Sequence, residues 1–362
     1  MDRRQVIGGA LASAAGAVLP SAPAKAAVSF AGKDVTMIIP FGVAGGADVW
    51  GRFNATYLQK YLPGNPTIIV KNVPGAGSVS GANLFAGTAK PDGLTVLVTS
   101  GSTQFPYLLG EKRVRYDYKK MRFFLASPTG GVAYISSKLG VKSVAEIGKL
   151  KGQKLHFASQ GVTSLDLVPL LGFRQLGLDV QHVVGFPGRG EGRLGFERGE
   201  FNIDYQTTSA YLRSSVPLVK SGEAVPLFSW GQLDKDGHLV RDPNFPELPS
   251  ILEAYEIVHG KKPSGIEWDA FDSFLVSGFP AQKLMMLPGG TADDVVEAYR
   301  AAVRAMRKDP EYLARRDDAI GEYEQVTDAE GEALFQRATS ISPEARNWVR
   351  EFLARDYKAA FE

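Results

Sequence analysis

Apolar runs of strand length alternate with stretches of helical period through the first half of the chain. Val35 to Ile39, Thr67 to Val70, Leu94 to Val98, Ala133 to Ser136 and Leu155 to Ala158 read as strands. Helical periodicity falls over residues 48–61, 78–89, 144–150, 164–176 and 191–198. Strands that alternate with helices build largely parallel, doubly wound sheets, so the pattern predicts an α/β chain. Two further apolar runs, Phe123 to Ser127 and Pro226 to Trp230, are expected to cross between two such units. They set the smaller unit at residues 128–225 and the larger one at 27–127 plus 226–362. Residues 234–265 are polar and rich in turns, with a short helix over Leu248 to Val258. From Thr291 onward the pattern is mostly helical. Thr291 with Asp294 reads as a capping box with Asp in place of Glu, and Ser342-Pro343-Glu344 opens the last helix.

The segment Pro40 to Asp48 is a glycine-rich turn between a buried strand and a helix whose face carries Trp50, Phe53, Tyr57 and Leu58. Such a turn gathers unpaired backbone N–H groups at a helix start, where the dipole also favours an anion. It holds no Lys before a Ser or Thr, so it is not a Walker phosphate loop. Two more polar turns follow strands: Ser100-Gly101-Ser102-Thr103, and Ser159-Gln160-Gly161-Val162-Thr163-Ser164. Each alone is an ordinary helix cap. Three of them, at strand C-terminal ends in two units, point to a shared cleft, because open α/β sheets bind ligands at that edge.

Other chemistry is excluded by pattern. Gly75 to Gly81 invites a dinucleotide reading, but Ser80 stands where the third Gly belongs, and the strand Leu94 to Val98 ends in Thr99 and Ser100 where an acidic residue is needed. No two of His156, His182, His238 and His259 stand at metal-ligand helical spacing from each other, so no metal and no cofactor is expected. No nucleophile-elbow sequence occurs, and the chain is not expected to be an enzyme.

The ends and the composition narrow the setting. An Arg3-Arg4 pair, a weakly apolar Gly/Ala stretch and the small residues around Ala26 read as an export signal of twin-arginine type over residues 1–26. Cleavage near Ala26 would leave the mature chain in the periplasm. The signal removes three basic residues and Asp2 from totals of 41 basic and 39 acidic, leaving 38 of each. A chain of zero net charge is a poor partner for nucleic acid or anionic membranes. The sequence has no Cys, which rules out disulfides, thiolate nucleophiles and a lipid anchor.

Pro40-Phe41 through Gly45-Gly46, Asp48, Arg52, Val70-Lys71-Asn72, Pro74 to Gly77, Gly81 and Pro91 to Thr95 together resemble the periplasmic receptors of tripartite tricarboxylate transporters, the Bug-type receptors. Weaker matches are Phe157 to Ser159, Gly161, Thr163-Ser164, Gly188, Arg198 to Glu200 and Leu287 to Thr291. The resemblance implies a two-lobed, type II-like periplasmic binding protein. Each lobe would be a doubly wound, mainly parallel sheet with flanking helices, and the ligand cleft would lie between them. The implied function is capture of an organic acid by hinge closure and its delivery to transient membrane transporter subunits by a monomeric receptor. An exported enzyme using the same cleft, or a ligand-sensing receptor for a signalling partner, stays open as an alternative. By position, Phe41, Gly42, Val43, Ala44 and Gly45 would hold one carboxylate, with Ser100 and Ser102 beside them. Ser159, Gly161, Thr163 and Ser164 would hold the distal group. Asp48 would cap the first helix or touch the ligand. Arg189 would pair with a carboxylate or sit solvated in a loop, and Asp204, Tyr205, Gln206 and Thr207 would face the cleft.

Overall fold

The computed structural model describes residues 27–361. The expected export signal and its cleavage point lie outside the described residues. The chain begins β1 (Asp34–Ile39), α1 (Gly46–Tyr61), β2 (Thr67–Asn72), α2 (Val79–Thr88), β3 (Thr95–Thr99), α3 (Gly101–Leu109) and β4 (Arg122–Ser127). It continues β5 (Gly131–Ser136), β6 (Leu155–Ser159), α4 (Leu167–Gln175), β7 (Val180–Val184), α5 (Arg189–Glu197) and β8 (Ile203–Thr207). Next, α6 (Thr208–Ala210) passes through one wide turn into α7 (Val216–Lys220), and β9 (Ala224–Ser229) follows. A hairpin of β10 (Gln232–Leu233) and β11 (Leu239–Val240) leads to α8 (Ile251–His259), α9 (Ile266–Gly278) and β12 (Lys283–Leu287). Four helices close the chain: α10 (Asp293–Met306), α11 (Pro310–Ile320), α12 (Asp328–Thr339) and α13 (Pro343–Tyr357).

The larger sheet has the order β2-β1-β3-β12-β4. β1 pairs in parallel with β2 and β3, while β12 runs against both β3 and β4. Four of its strands therefore point one way and β12 points the other. Burial on both faces explains the unbroken apolar runs. Val35, Met37 and Ile39 pack on the α1 side with Trp50, Tyr57 and Leu58, and Ile38 packs on the α2 side with Val79 and Phe85. In β12, Met285 and Leu287 face the α1 side, and Leu284 and Met286 the other.

The smaller sheet has the order β8-β5-β9, with β5 antiparallel to both neighbours. The parallel pair β6-β7 lies beside β8, where the Asn202 N–H donates to the His156 carbonyl at 3.1 Å. β4 runs through Pro128–Gly130 directly into β5, so the chain passes from one sheet to the other there. The return differs from expectation. Pro226 to Ser229 pairs with β5, which puts the expected boundary after Val225 inside a strand of the smaller sheet. The chain re-enters the larger sheet only at β12, after α8 and α9. Helices α3, α9 and α13 share a core with Leu227, Phe228 and Trp230 beneath the smaller sheet.

Local details also depart from the sequence reading. Residues 144–150 form a 3-10 helix, not an α-helix. Thr291 does not cap α10: its hydroxyl donates to the Pro288 carbonyl, and Ala292 takes the cap position. The cap of the last helix is as read, with the Ser342 hydroxyl accepting from the Ala345 N–H at 3.1 Å.

Candidate functional site

Strand ends from both sheets meet around one cleft. Phe41, Gly45, Gly46 and Ala47 follow β1, and Ser100 and Ser102 follow β3. Gln160 and Leu165 follow β6, Arg189 opens α5, Thr207 ends β8, and Gln282 and Lys283 mark the start of β12. The cavity these residues enclose is small, about 30 Å³. A wider surface groove of about 460 Å³ lies on the outside of α10 and α11. Its arginines, Arg304, Arg307 and Arg316, are already paired with carboxylates.

Helix starts supply the polar character of the cleft. α1 begins after Gly45 and α5 after Gly188, and neither has a side-chain cap, so their first N–H groups have no side-chain partner at the cap. The two starts approach each other: the Cβ position on Gly45 lies 3.8 Å from the backbone nitrogens of Arg189 and Gly190. The Gly42 N–H donates to the Pro187 carbonyl at 3.2 Å, joining the two turns across the cleft. These glycines serve close approach. A Cβ on Gly190 would stand 2.7 Å from the Val43 carbonyl oxygen, and one on Gly46 would fall 1.7 Å from Thr207 Oγ1.

The structure places the expected site residues in two groups. Phe41, Gly45, Ser100, Ser102 and Arg189 line the cleft. The others shape it from behind. Asp48 accepts from the Ala44 N–H at 2.9 Å, from Arg52 Nε at 2.8 Å and from Asn72 Nδ2 at 2.9 Å, so it pins the first turn. Ser159 Oγ accepts from the Gly161 N–H, Ser164 donates to the Gly161 carbonyl, and Thr163 Oγ1 accepts from Arg113. Val43 points outward, 58% exposed.

Arg189 is neither solvated nor unpaired. It is buried between the rings of Phe157 and Tyr205, its guanidinium carbon 4.7 and 4.6 Å from their centroids. It donates to the Asp204 carboxylate and the Ala158 carbonyl, and Asp166 stands 3.7 Å away. Asp204 also accepts from the Tyr134 hydroxyl at 2.6 Å, and Asp166 from the Tyr205 hydroxyl at 2.7 Å. Burial pushes the Tyr205 hydroxyl well above the usual tyrosine range, and Asp166 adds to the effect. Tyr205 therefore holds Arg189 in place from below the cleft wall.

Thr207, expected to face the cleft, and Gln160, within the third polar turn, line it, whereas sequence reasoning missed Gln282 and Lys283. All are less than one-tenth exposed. Buried atoms of the cleft without a hydrogen-bond partner are Gln160 Nε2, Arg189 Nε, Thr207 Oγ1 and Gln282 Oε1. The one legible signal was Lys283, a charge opening the buried run Leu284 to Leu287. Burial alone pushes its ammonium down to about 7. Elsewhere, Asp234, Asp236 and His238 come together at the exposed β10–β11 turn, where Asp234 accepts from the N–H groups of the other two. Hydrogen bonding of the hairpin accounts for that cluster.

A model of the tripartite tricarboxylate transporter family receptors matches residues 52–266. A UPF0065 protein of Bordetella pertussis is 28% identical over 305 residues, covering 82% of this chain and 83% of the relative. The solved structure of the periplasmic binding protein BugD aligns with a TM-score of 0.67 at 20% identity, covering 88% of this chain and 96% of that one. An adipate complex from Rhodopseudomonas palustris aligns at 0.66 and 19% identity, over 89% and 96% of the two chains. MatC of the same organism, with bound malate, aligns at 0.61 and 20% identity, over 89% and 97%. These likenesses establish the two-lobed periplasmic binding protein fold.

Proposed function

The chain belongs to the tripartite tricarboxylate transporter family of receptors, and from that premise we propose that it captures a small carboxylate in the cleft between its sheets. The observation that carries this reading is the meeting of two uncapped helix starts, one after β1 of the larger sheet and one after β7 of the β6-β7 pair, with Ser100, Ser102 and Thr207 beside them. Backbone donors at helix N-termini hold an anion and let it go again. Adipate and malate in two related structures fit the same class of ligand.

In this reading one lobe is built on the larger sheet and the other on β5 to β9, with hinges at residues 128–130 and 279–282. A cavity of about 30 Å³ holds only a few waters, so an acid enters when the lobes part and is enclosed when they close. The bound anion offsets the repulsion between two positive helix ends, which favours the closed form. The receptor works in the periplasm as a monomer, after twin-arginine export and cleavage near Ala26. It hands its ligand unaltered to membrane subunits of the transporter. Among the described residues no helix is long and apolar enough to cross a membrane.

Thermal unfolding against a panel of aliphatic mono- and dicarboxylates and aromatic acids tests the proposal. At least one acid is expected to raise Tm, because a ligand that binds only the folded state adds stability. No rise with any member of the panel would sink the reading. Chromatography of the bound acid after long incubation should return it unchanged; a new product would mark an enzyme.

A further inference from the structure

Lys283 stands at the start of β12, paired in register with Ser127, and its side chain lies against the cleft. It is 1% exposed, and among the described residues it has no hydrogen-bond or ion-pair partner. A buried ammonium without a partner is costly, and the molecule relieves that by losing the proton or by taking in an anion. Arg189, the other cation on the cleft, is already matched by Asp204 and Asp166. The buried atoms beside Lys283 that lack partners are mostly donors: Gln160 Nε2, Arg189 Nε and the Thr207 hydroxyl. Gln282 Oε1 is an acceptor, oriented by the bond its amide nitrogen donates to the Gly278 carbonyl at 2.7 Å.

Resting on the carboxylate-receptor reading, we infer that Lys283 is the counter-charge for one carboxylate of the ligand and sets the preference of this cleft for acids over neutral isosteres. The helix starts of α1 and α5 supply dipoles, which a carbonyl or amide oxygen also satisfies. The ammonium discriminates by charge. The donors around it take the remaining lone pairs of the carboxylate, and the Gln282 carbonyl accepts from a hydroxyl or a protonated oxygen elsewhere on the ligand.

Titration calorimetry with succinate, adipate and benzoate, each beside its neutral amide, tests this on the wild-type chain and on K283M and K283Q. The wild type should bind at least one acid and discriminate against the amide. In K283M the affinity for that acid should fall by about 100-fold, and the acid-to-amide ratio should collapse toward one. Apo K283M should melt no lower than the wild type, since it replaces an unpaired buried charge with an apolar chain of similar length.

A second measurement needs no variant. At about pH 8, binding of the acid should draw close to one proton from the buffer, seen as a heat that depends on the buffer's ionisation enthalpy. The other charged groups around the cleft are Arg189 on α5, Asp204 on β8, Asp166 before α4, Glu191 beside Gly42 and Asp48 with Arg52 on α1. Lys283 is the one amine among the residues that line the cleft. Wild-type binding that K283M and K283Q leave within about threefold, with no proton uptake, overturns the role of Lys283 while the receptor reading stands. Failure of every acid of the wider thermal-unfolding panel to bind the wild type overturns both.

Discussion

Arg189 shows how a charge can be present in a cleft without being available to a ligand. Its guanidinium is held by Asp204, Asp166 and two aromatic faces, and its orientation is fixed by the Tyr205 hydroxyl through Asp166. Removing it leaves two carboxylates buried and unpaired. R189M is therefore expected to lose about 3–5 kcal/mol of stability, read by urea unfolding. An R189M protein as stable as wild type would show that the pair contributes little. Lys283 behaves in the opposite way. Its folded-state pKa, pushed down to about 7, lies below the unfolded value of about 10.4, so the unfolded chain binds more protons between those limits. Stability of the ligand-free protein should rise with pH across that window, and the rise should vanish in K283M. A wild-type profile that matches K283M from about pH 7 to pH 10 would show that Lys283 is not buried as a free amine in solution.

At the scale of elements, the turn before α1 and the start of α5 press glycine against glycine. Gly190 lies inside a helix at negative φ, where Ala is intrinsically favoured. A Cβ there would stand 2.7 Å from the Val43 carbonyl oxygen, 3.3 Å from the Ala44 carbonyl carbon and 3.4 Å from the Gly45 nitrogen, all across the cleft. G190A should thus weaken acid binding by about 10- to 100-fold, because it penalises the closed form by about 1–3 kcal/mol. Unchanged affinity in G190A would mean that these helix starts do not meet when ligand is bound. The strands of the larger sheet were legible because apolar runs such as Val35–Ile39 are buried on both faces. The three polar turns were legible because each follows a strand read from its apolar run, β1, β3 and β6. The return of the chain was not: Pro226 to Trp230 reads equally as a crossing strand or as an edge of the smaller sheet, and only its pairing with β5 decides. Gln282 and Lys283 carry no motif, since they belong to the cleft through sheet order alone. The Thr291 cap failed because its hydroxyl is taken by the Pro288 carbonyl in a turn of its own.

The whole molecule sets two sheets so that their ligand edges face, with one opposed strand in each. In the larger sheet that strand is β12, whose reversed direction brings its first residue, not its last, to the cleft. A lysine at the start of a buried strand thereby becomes part of a carboxylate site. That lysine lies buried beside helix starts that already favour negative charge, so charge on the ligand decides binding more than its length. Native mass spectrometry of the ligand-stripped protein, offered equal amounts of small acids and their amides, tests this most directly. The retained mass should be that of an acid, one per chain. Retention of an amide, or equal retention of the two, would contradict the account.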